Sequence, residues 1–353
     1  MAKYTIGLDF GTLSGRAVVV DVHGGRILAV AEATYSHGVM TECLPDGTKL
    51  PQDWTIQHPQ DYLDVLAQIV PEAVRQSGIP AEDIIGIGVD VTACTAMPVD
   101  REGIPLCLQP EWEHHPHAYI KLWKHHAAQG YADKITQIAE ERHEPWLRRY
   151  GGKVSSEWSL PKLWEVLDQD PAVYSAMYEW VEVADWLVWQ LTGCDTRNAC
   201  AAGYKNFYAK SAGYPDDAFY AALDPRLKHV IAEKCFSKVL PAGSRAGSLK
   251  PDMAQKLGLA PGIAVAVGNV DAHVCVPAAG MARPGQMLGI IGTSACYMNL
   301  AEKEIDVPGI CGAVEDGLQI VSGMDKQVIH GSSLRFSILH KSSVCDYSIL
   351  TKR

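Results

Sequence analysis

The spacing of apolar and polar residues changes several times along the chain, and each change marks an element. Residues 4–9 read as a strand, 11–15 as a small-residue turn and 16–21 as a β-branched run, which together predict a hairpin. Gly24-Gly25 turns the chain again, and 26–35 alternates as a third strand. Over 59–77 the spacing becomes helical, with Leu63, Leu66, Ile69, Val70 and Val74 on one face and Gly78 as the stop. The short apolar run 84–91 reads as a buried strand. Three strands, a helix and a further strand predict a mixed α/β sheet.

From 118 to 191 the pattern is mainly helical, with helices predicted at 118–128, 131–142, 159–168 and 171–178. Segment 181–191 carries Trp186 and Trp189 among apolar neighbours and predicts a buried helix ended by Gly193. Residues 240–247, rich in Pro, Gly and Ser, are the best linker in the chain. After them 263–270 reads as a buried strand, and 287–291 opens a hairpin closed at Gly292-Thr293-Ser294. No segment repeats at a solenoid period.

The 353 residues are 47% apolar and 20% charged, enough to bury a substantial core across two domains. A net charge of -10 argues against nucleic-acid and anionic-membrane partners, which need clustered Lys and Arg. It leaves a nucleotide substrate open, since that needs only local donors and a cation. No apolar run reaches the ~18 residues of a membrane helix and no apolar signal region opens the chain, so a cytoplasmic protein is expected. Ten cysteines are scattered singly, and reduced, mostly buried thiols are expected rather than disulfides or a zinc site.

Three short segments carry candidate chemistry. Asp9-Phe10-Gly11-Thr12-Leu13-Ser14-Gly15-Arg16 occupies the first hairpin turn, where two glycines let amides approach an anion and Thr12 and Ser14 add hydroxyls. Asp9, at the strand end, suits Mg²⁺ held through water. Ile290-Ile291-Gly292-Thr293-Ser294-Ala295 is a second such turn. Either alone reads equally as a plain hairpin; the pair suits a nucleotide held between two related domains. Between them, Asp271 follows Val267-Gly268-Asn269-Val270 and is on local grounds a helix N-cap or a proton acceptor. The histidines in Glu111-Trp112-Glu113-His114-His115-Pro116-His117 lack ligand spacing for a metal.

The Asp-x-Gly-Thr turn resembles the first phosphate motif of the actin, heat-shock-ATPase and sugar-kinase superfamily. Longer matches narrow this to the FGGY carbohydrate kinases and, within them, the ribulokinase branch. They are Gly88 through Pro98, Lys121 through Gln129, Glu144 through Lys153, Ser155 through Trp158, Ala184 through Gly193 and Cys200 through Lys205. The resemblance implies a ribonuclease-H-like α/β first domain with helical insertions and an incomplete second domain of the same type. It also implies ATP-dependent phosphorylation of the 5-hydroxyl of L-ribulose, with Asp271 as base. Ala96 and Lys205 would border the ketopentose, with Lys205 donating to it. Asp9 would position Mg²⁺, and Gly11, Thr12, Ser14, Arg16, Gly292 and Thr293 would surround the phosphates. Xylulokinase chemistry, a non-catalytic sugar-binding remnant and an actin-like ATPase are the alternatives, and a homodimer is a further expectation.

The resemblance ends near Gly323. It divides the chain into a sugar-binding domain at 1–285, the start of a nucleotide domain at 286–323, and a tail at 324–353 that is rich in Ser and Lys and resembles no part of the family. An altered reading frame followed by an early stop is the expected origin of that tail, and weak catalysis its expected consequence, because such kinases close two domains over their substrates.

Overall fold

Alternation at the start of the chain folds as an antiparallel ladder. β1 (Tyr4–Phe10) pairs with β2 (Ser14–Asp21), and β2 with β3 (Ile27–Thr34). Alternate residues turn inward, and Ile6, Leu8, Phe10, Ala17, Val19 and Ala31 are buried. α1 (Pro59–Ser77) lays Tyr62, Leu66, Ile69 and Ala73 into the same core. It stops at Gly78, whose φ of 66° suits a residue without Cβ. β4 (Ile84–Val91) then runs parallel to β1.

An inserted region follows, containing α2 (Ser159–Gln169) and α3 (Val183–Thr192). The chain returns to the sheet through β5 (Arg245–Ser248), β6 (Ala264–Ala266) and β7 (Asn269–Val270), and enters α4 (Asp271–Ala278). The sheet order is β5-β6-β4-β1-β2-β3, with β7 beside β4. Because β2 opposes β1 while β4 and β6 run with it, this is the expected ribonuclease-H-like arrangement. A second, four-stranded sheet of Met287–Ile291, Ala295–Ala301, Ala313–Val314 and Gln327–Gly331 forms a partial second domain. Its Gln327–Gly331 strand lies past the end of the family resemblance and pairs with Ala295–Ala301.

The computed structural model describes residues 3–291, 295–301, 306–311, 313–314 and 327–331. Among them no helix is long and apolar enough to cross a membrane. The apolar interior forms two large clusters, one between the main sheet and its helices and one within the inserted region.

Several expectations need correction. The predicted helix 118–128 does not form: Ile120–Lys121 is a strand, with Lys121 paired to Ala96 and Ile56. Its side chain is wholly buried, with Nζ 2.8 Å from Glu165 Oε2 and over the ring of Trp54. That tertiary ion pair overrides a local helical pattern. The helix predicted at 171–178 ends at Ala176, Glu179–Glu182 is a strand, and α3 begins only at Val183. The predicted linker is a turn only at 241–244, because Arg245–Ser248 is an edge strand. A Cβ on Gly247 would lie 2.8 Å from Thr192 Cβ, so this strand packs tightly on the end of α3. The strand predicted at 263–270 is broken at Val267-Gly268.

Candidate active site

Strand register assembles the acidic centre. β1 and β4 set Asp9 directly beside Asp90, and β7 sets Asn269 beside Asp90 on its other flank. Asp271 follows β7 at once and opens α4, its Oδ1 accepting from the Ala272 amide at 2.6 Å. These positions are the carboxyl ends of parallel strands, where open α/β sheets bind ligands. Gly268 makes the approach possible. A Cβ there would stand 2.9 Å from the Ala184 carbonyl oxygen, so only glycine lets this segment pass the backbone of α3.

The neighbouring carboxyls raise Asp90 and Asp271. Burial, then the charges of Asp9 and Asp271, hold Asp90 well above the usual carboxylate range, against a smaller pull from Arg16. Burial likewise pushes Asp271 up to about 6; Asp9 adds to the rise, while the Ala272 amide and Lys205 oppose it. A carboxyl with that value is mostly ionised at neutral pH and still basic enough to accept a proton.

The first hairpin turn lies at the same edge of the sheet. The Gly11 amide donates to the Ser14 carbonyl at 2.9 Å, closing the turn, and the Tyr35 hydroxyl donates to the Gly11 carbonyl at 3.0 Å. Gln57 Nε2 donates to the Thr12 carbonyl at 2.8 Å, and Trp123 Nε1 donates to Thr12 Oγ1 at 3.1 Å. Thr12 Oγ1 therefore accepts from behind, and its own proton is available to a ligand. Ser14 differs: its Oγ donates to Glu32 at 2.8 Å, so it offers lone pairs rather than the expected proton. Arg16 lies 3.5 Å from Asp9 and 3.3 Å from Glu32. Gly292 and Thr293 lie outside the described residues.

Lys205 closes the helix Ala199–Lys205, whose N-cap Asn198 accepts from the Ala201 amide at 2.6 Å and is itself held by Asp185. Its Nζ lies 3.5 Å from Glu157, and its charge acts on both Asp271 and Cys94. Lys205 is thus a largely buried ammonium that pairs with Glu157 and whose charge is felt at Asp271, not a solvated surface charge. Ala96 heads the strand Ala96–Val99 and is fully enclosed, paired with Lys121 and Glu182. His273 packs edge-on against Tyr204 with ring centroids 4.8 Å apart. Trp158 and Trp186 are buried in the core.

Residues near the site without a readable local signal include Asp90, Trp123 and Glu157. Asp90 was readable only as one strand-end aspartate within a long match, and Trp123 as another aromatic residue. Their importance comes from cross-strand register and from a contact spanning 111 residues of chain.

The acidic centre fits a hydrated divalent cation. A hard cation prefers carboxylate oxygens, and it would relieve the like-charge repulsion felt by Asp90. Among the described residues, one trio of potential ligands lies at direct coordination spacing, His37, His58 and Asp61. The two imidazoles there stack at 4.4 Å with planes 19° apart, so their in-plane lone pairs do not converge. Asp61 already bonds the His37 ring and amide. In the histidine-rich loop the rings point apart: His114 to Asp46, His115 to Asp170, and His117 edge-on to Trp54.

Comparison with known proteins identifies the family of the chain. Residues 4–276 match the model of the N-terminal domain of the FGGY family of carbohydrate kinases. A ribulokinase of Halalkalibacterium halodurans is 52% identical over 317 residues, covering 90% of this chain and 56% of the relative. A ribulokinase of Mycolicibacterium smegmatis is 48% identical over 318 residues, with the same coverage of 90% and 56%. The chain thus spans a little over half the length of the curated relatives it matches. Among solved structures, a xylulose kinase of Rhodospirillum rubrum superposes with a TM-score of 0.73 at 21% identity, covering 93% of this chain and 60% of the other. Plasmodium falciparum glycerol kinase with ADP gives 0.74 at 13% identity, covering 94% and 61%. Those two likenesses establish the fold alone, whereas the domain match, running from the first strand into α4, establishes that the chain belongs to the FGGY family of carbohydrate kinases.

Proposed function

We propose that the site transfers the γ-phosphoryl group of ATP to the 5-hydroxyl of L-ribulose, as a cytoplasmic sugar kinase. The observation that carries this reading is Asp271: a carboxyl at the end of a parallel strand, raised to about 6, near Asp9 and within reach of the Lys205 charge. Asp271 draws the proton from the attacking hydroxyl as the phosphorus–oxygen bond forms. Lys205 donates to the sugar, and the segment at Ala96 forms the pocket wall behind it. Gly11, Thr12, Ser14 and Arg16 are assigned to the nucleotide phosphates, as are Gly292 and Thr293. Mg²⁺, when bound beside Asp9 and Asp90 through water, would neutralise phosphate charge. The remaining work belongs to the protein, which orients the hydroxyl and holds the receiving carboxylate in place.

The identity to ribulokinases near 50% supports L-ribulose over other ketoses. In the same reading, 1–285 is the sugar-binding domain, 286–323 begins the nucleotide domain and 324–353 is a separate tail, and a homodimer is the assembly. An ADP-release assay across L-ribulose, D-ribulose, D-xylulose and glycerol tests the substrate. Release dependent on L-ribulose supports the proposal; ATP hydrolysis independent of any sugar contradicts it.

A further inference from the structure

The turn 92–95 links Asp90 to the segment at Ala96 and is backed by a basic and an acidic side chain, the buried Lys162 and the half-buried Glu182. Its backbone is strained: Cys94, not a glycine, has a φ of 56°. From α2, Lys162 Nζ donates to the Cys94 carbonyl at 2.6 Å and to the Leu122 carbonyl at 2.8 Å, and Lys162 is wholly buried. Glu182 accepts from the Thr95 amide at 3.0 Å. The Thr92 and Thr95 hydroxyls bond each other at 2.8 Å.

Each contact leads to the site. Leu122 is followed by Trp123, which donates to Thr12 in the phosphate turn. Cys94 lies within the field of Lys205 and Glu157. One ammonium therefore fastens two segments, one beside the phosphates and one beside the sugar-side lysine. A buried lysine is retained only where its donors are well matched, and two carbonyls at short range meet that condition. An αL conformation at a non-glycine residue persists only when its surroundings enforce it.

We propose that Lys162 and Glu182 are a pair of positioning residues that clamp the turn 92–95 in its strained form and so shape the sugar pocket without touching the sugar. The clamp is read from this geometry; its consequence for sugar binding rests on the function proposed above. Burial draws Lys162 down to about 8 and pushes Glu182 up to about 7, so the pair is held near the limit of its charged state.

Cys94 is the reporter. It is buried, as are Cys107 and Cys200, which lie outside the clamp. In the full chain, Lys162→Met and Glu182→Ala are each treated with iodoacetamide, and modification at the three cysteines is followed by peptide mass spectrometry. Local release of the turn predicts alkylation of Cys94 about tenfold faster or more, with Cys107 and Cys200 as protected as in the parent. Lys162→Arg, which keeps two donors, restores protection. Unchanged Cys94, or all three cysteines rising together, overturns a local clamp. Calorimetry with L-ribulose provides a separate test: both variants weaken its binding by about tenfold if the freed turn must reorder on binding. A parent that binds no L-ribulose would refute the sugar reading, while the labelling still decides the clamp.

Discussion

Asp9 and Asp90 stand side by side on neighbouring parallel strands, in register, each one residue from the end of its strand. Two carboxyls so placed repel, Asp9 being partly exposed and Asp90 held well above the usual carboxylate range, and the centre fits a cation beside them. Asp90→Asn should raise the Mg²⁺ concentration needed for half-maximal turnover by about tenfold, with a smaller effect on saturated rate. A magnesium titration of both proteins checks this.

The same centre predicts how stability changes with pH. A carboxyl whose folded value is raised favours folding below its ordinary value of 3.8, and that contribution is lost as pH rises through the folded value near 6 for Asp271. At pH 7.5 Asp271→Asn should therefore be more stable than the parent by on the order of 1–3 kcal/mol. The difference should vanish near pH 4. Urea midpoints at the two pH values decide it.

At Glu165 the sign reverses. Burial opposes its charge, but Lys121 and His125 outweigh burial and bring it down to about 2. His125, accepting from the Thr55 amide at 3.2 Å, presents its other nitrogen to Glu165 at 2.9 Å. The resulting stability is present above the ordinary glutamate value of 4.5 and is lost as pH falls toward 2. Glu165→Gln should cost about 3–5 kcal/mol at pH 7, because Lys121 is left buried without its counter-charge. It should also flatten the acid limb of the stability curve.

Gly268→Ala should act through the backbone. The added methyl meets the Ala184 carbonyl oxygen at 2.9 Å, and neither backbone segment yields easily. A loss of about 1–3 kcal/mol in stability is expected, together with a fall in turnover as Asp271 shifts. Thermal melts and kinetics on one preparation measure both.

The sequence made much of the frame legible, and much less of the site. The first hairpin, α1 with its Gly78 stop and the Gly193 terminus were readable because local period and glycine position agree with the fold. Lys121 was misread as helical because the residues that bury it, Glu165 and Trp54, come from distant segments. The linker expected at 240–247 overlaps the strand Arg245–Ser248, because small residues mark both turns and tightly packed edges. Asp271 stood out through its motif. Asp90 did not, since an aspartate ending an apolar strand has no local signature until register sets it beside Asp9.

The most direct measurement is L-ribulose-dependent ADP release by the parent and by Asp271→Asn, with L-ribulose affinity determined on both. With Asp271 as proton acceptor, turnover falls by about 10²–10⁴-fold while the sugar still binds, and the parent rate declines below pH 6, where Asp271 becomes protonated. Turnover by the asparagine variant at the parent rate would contradict the account.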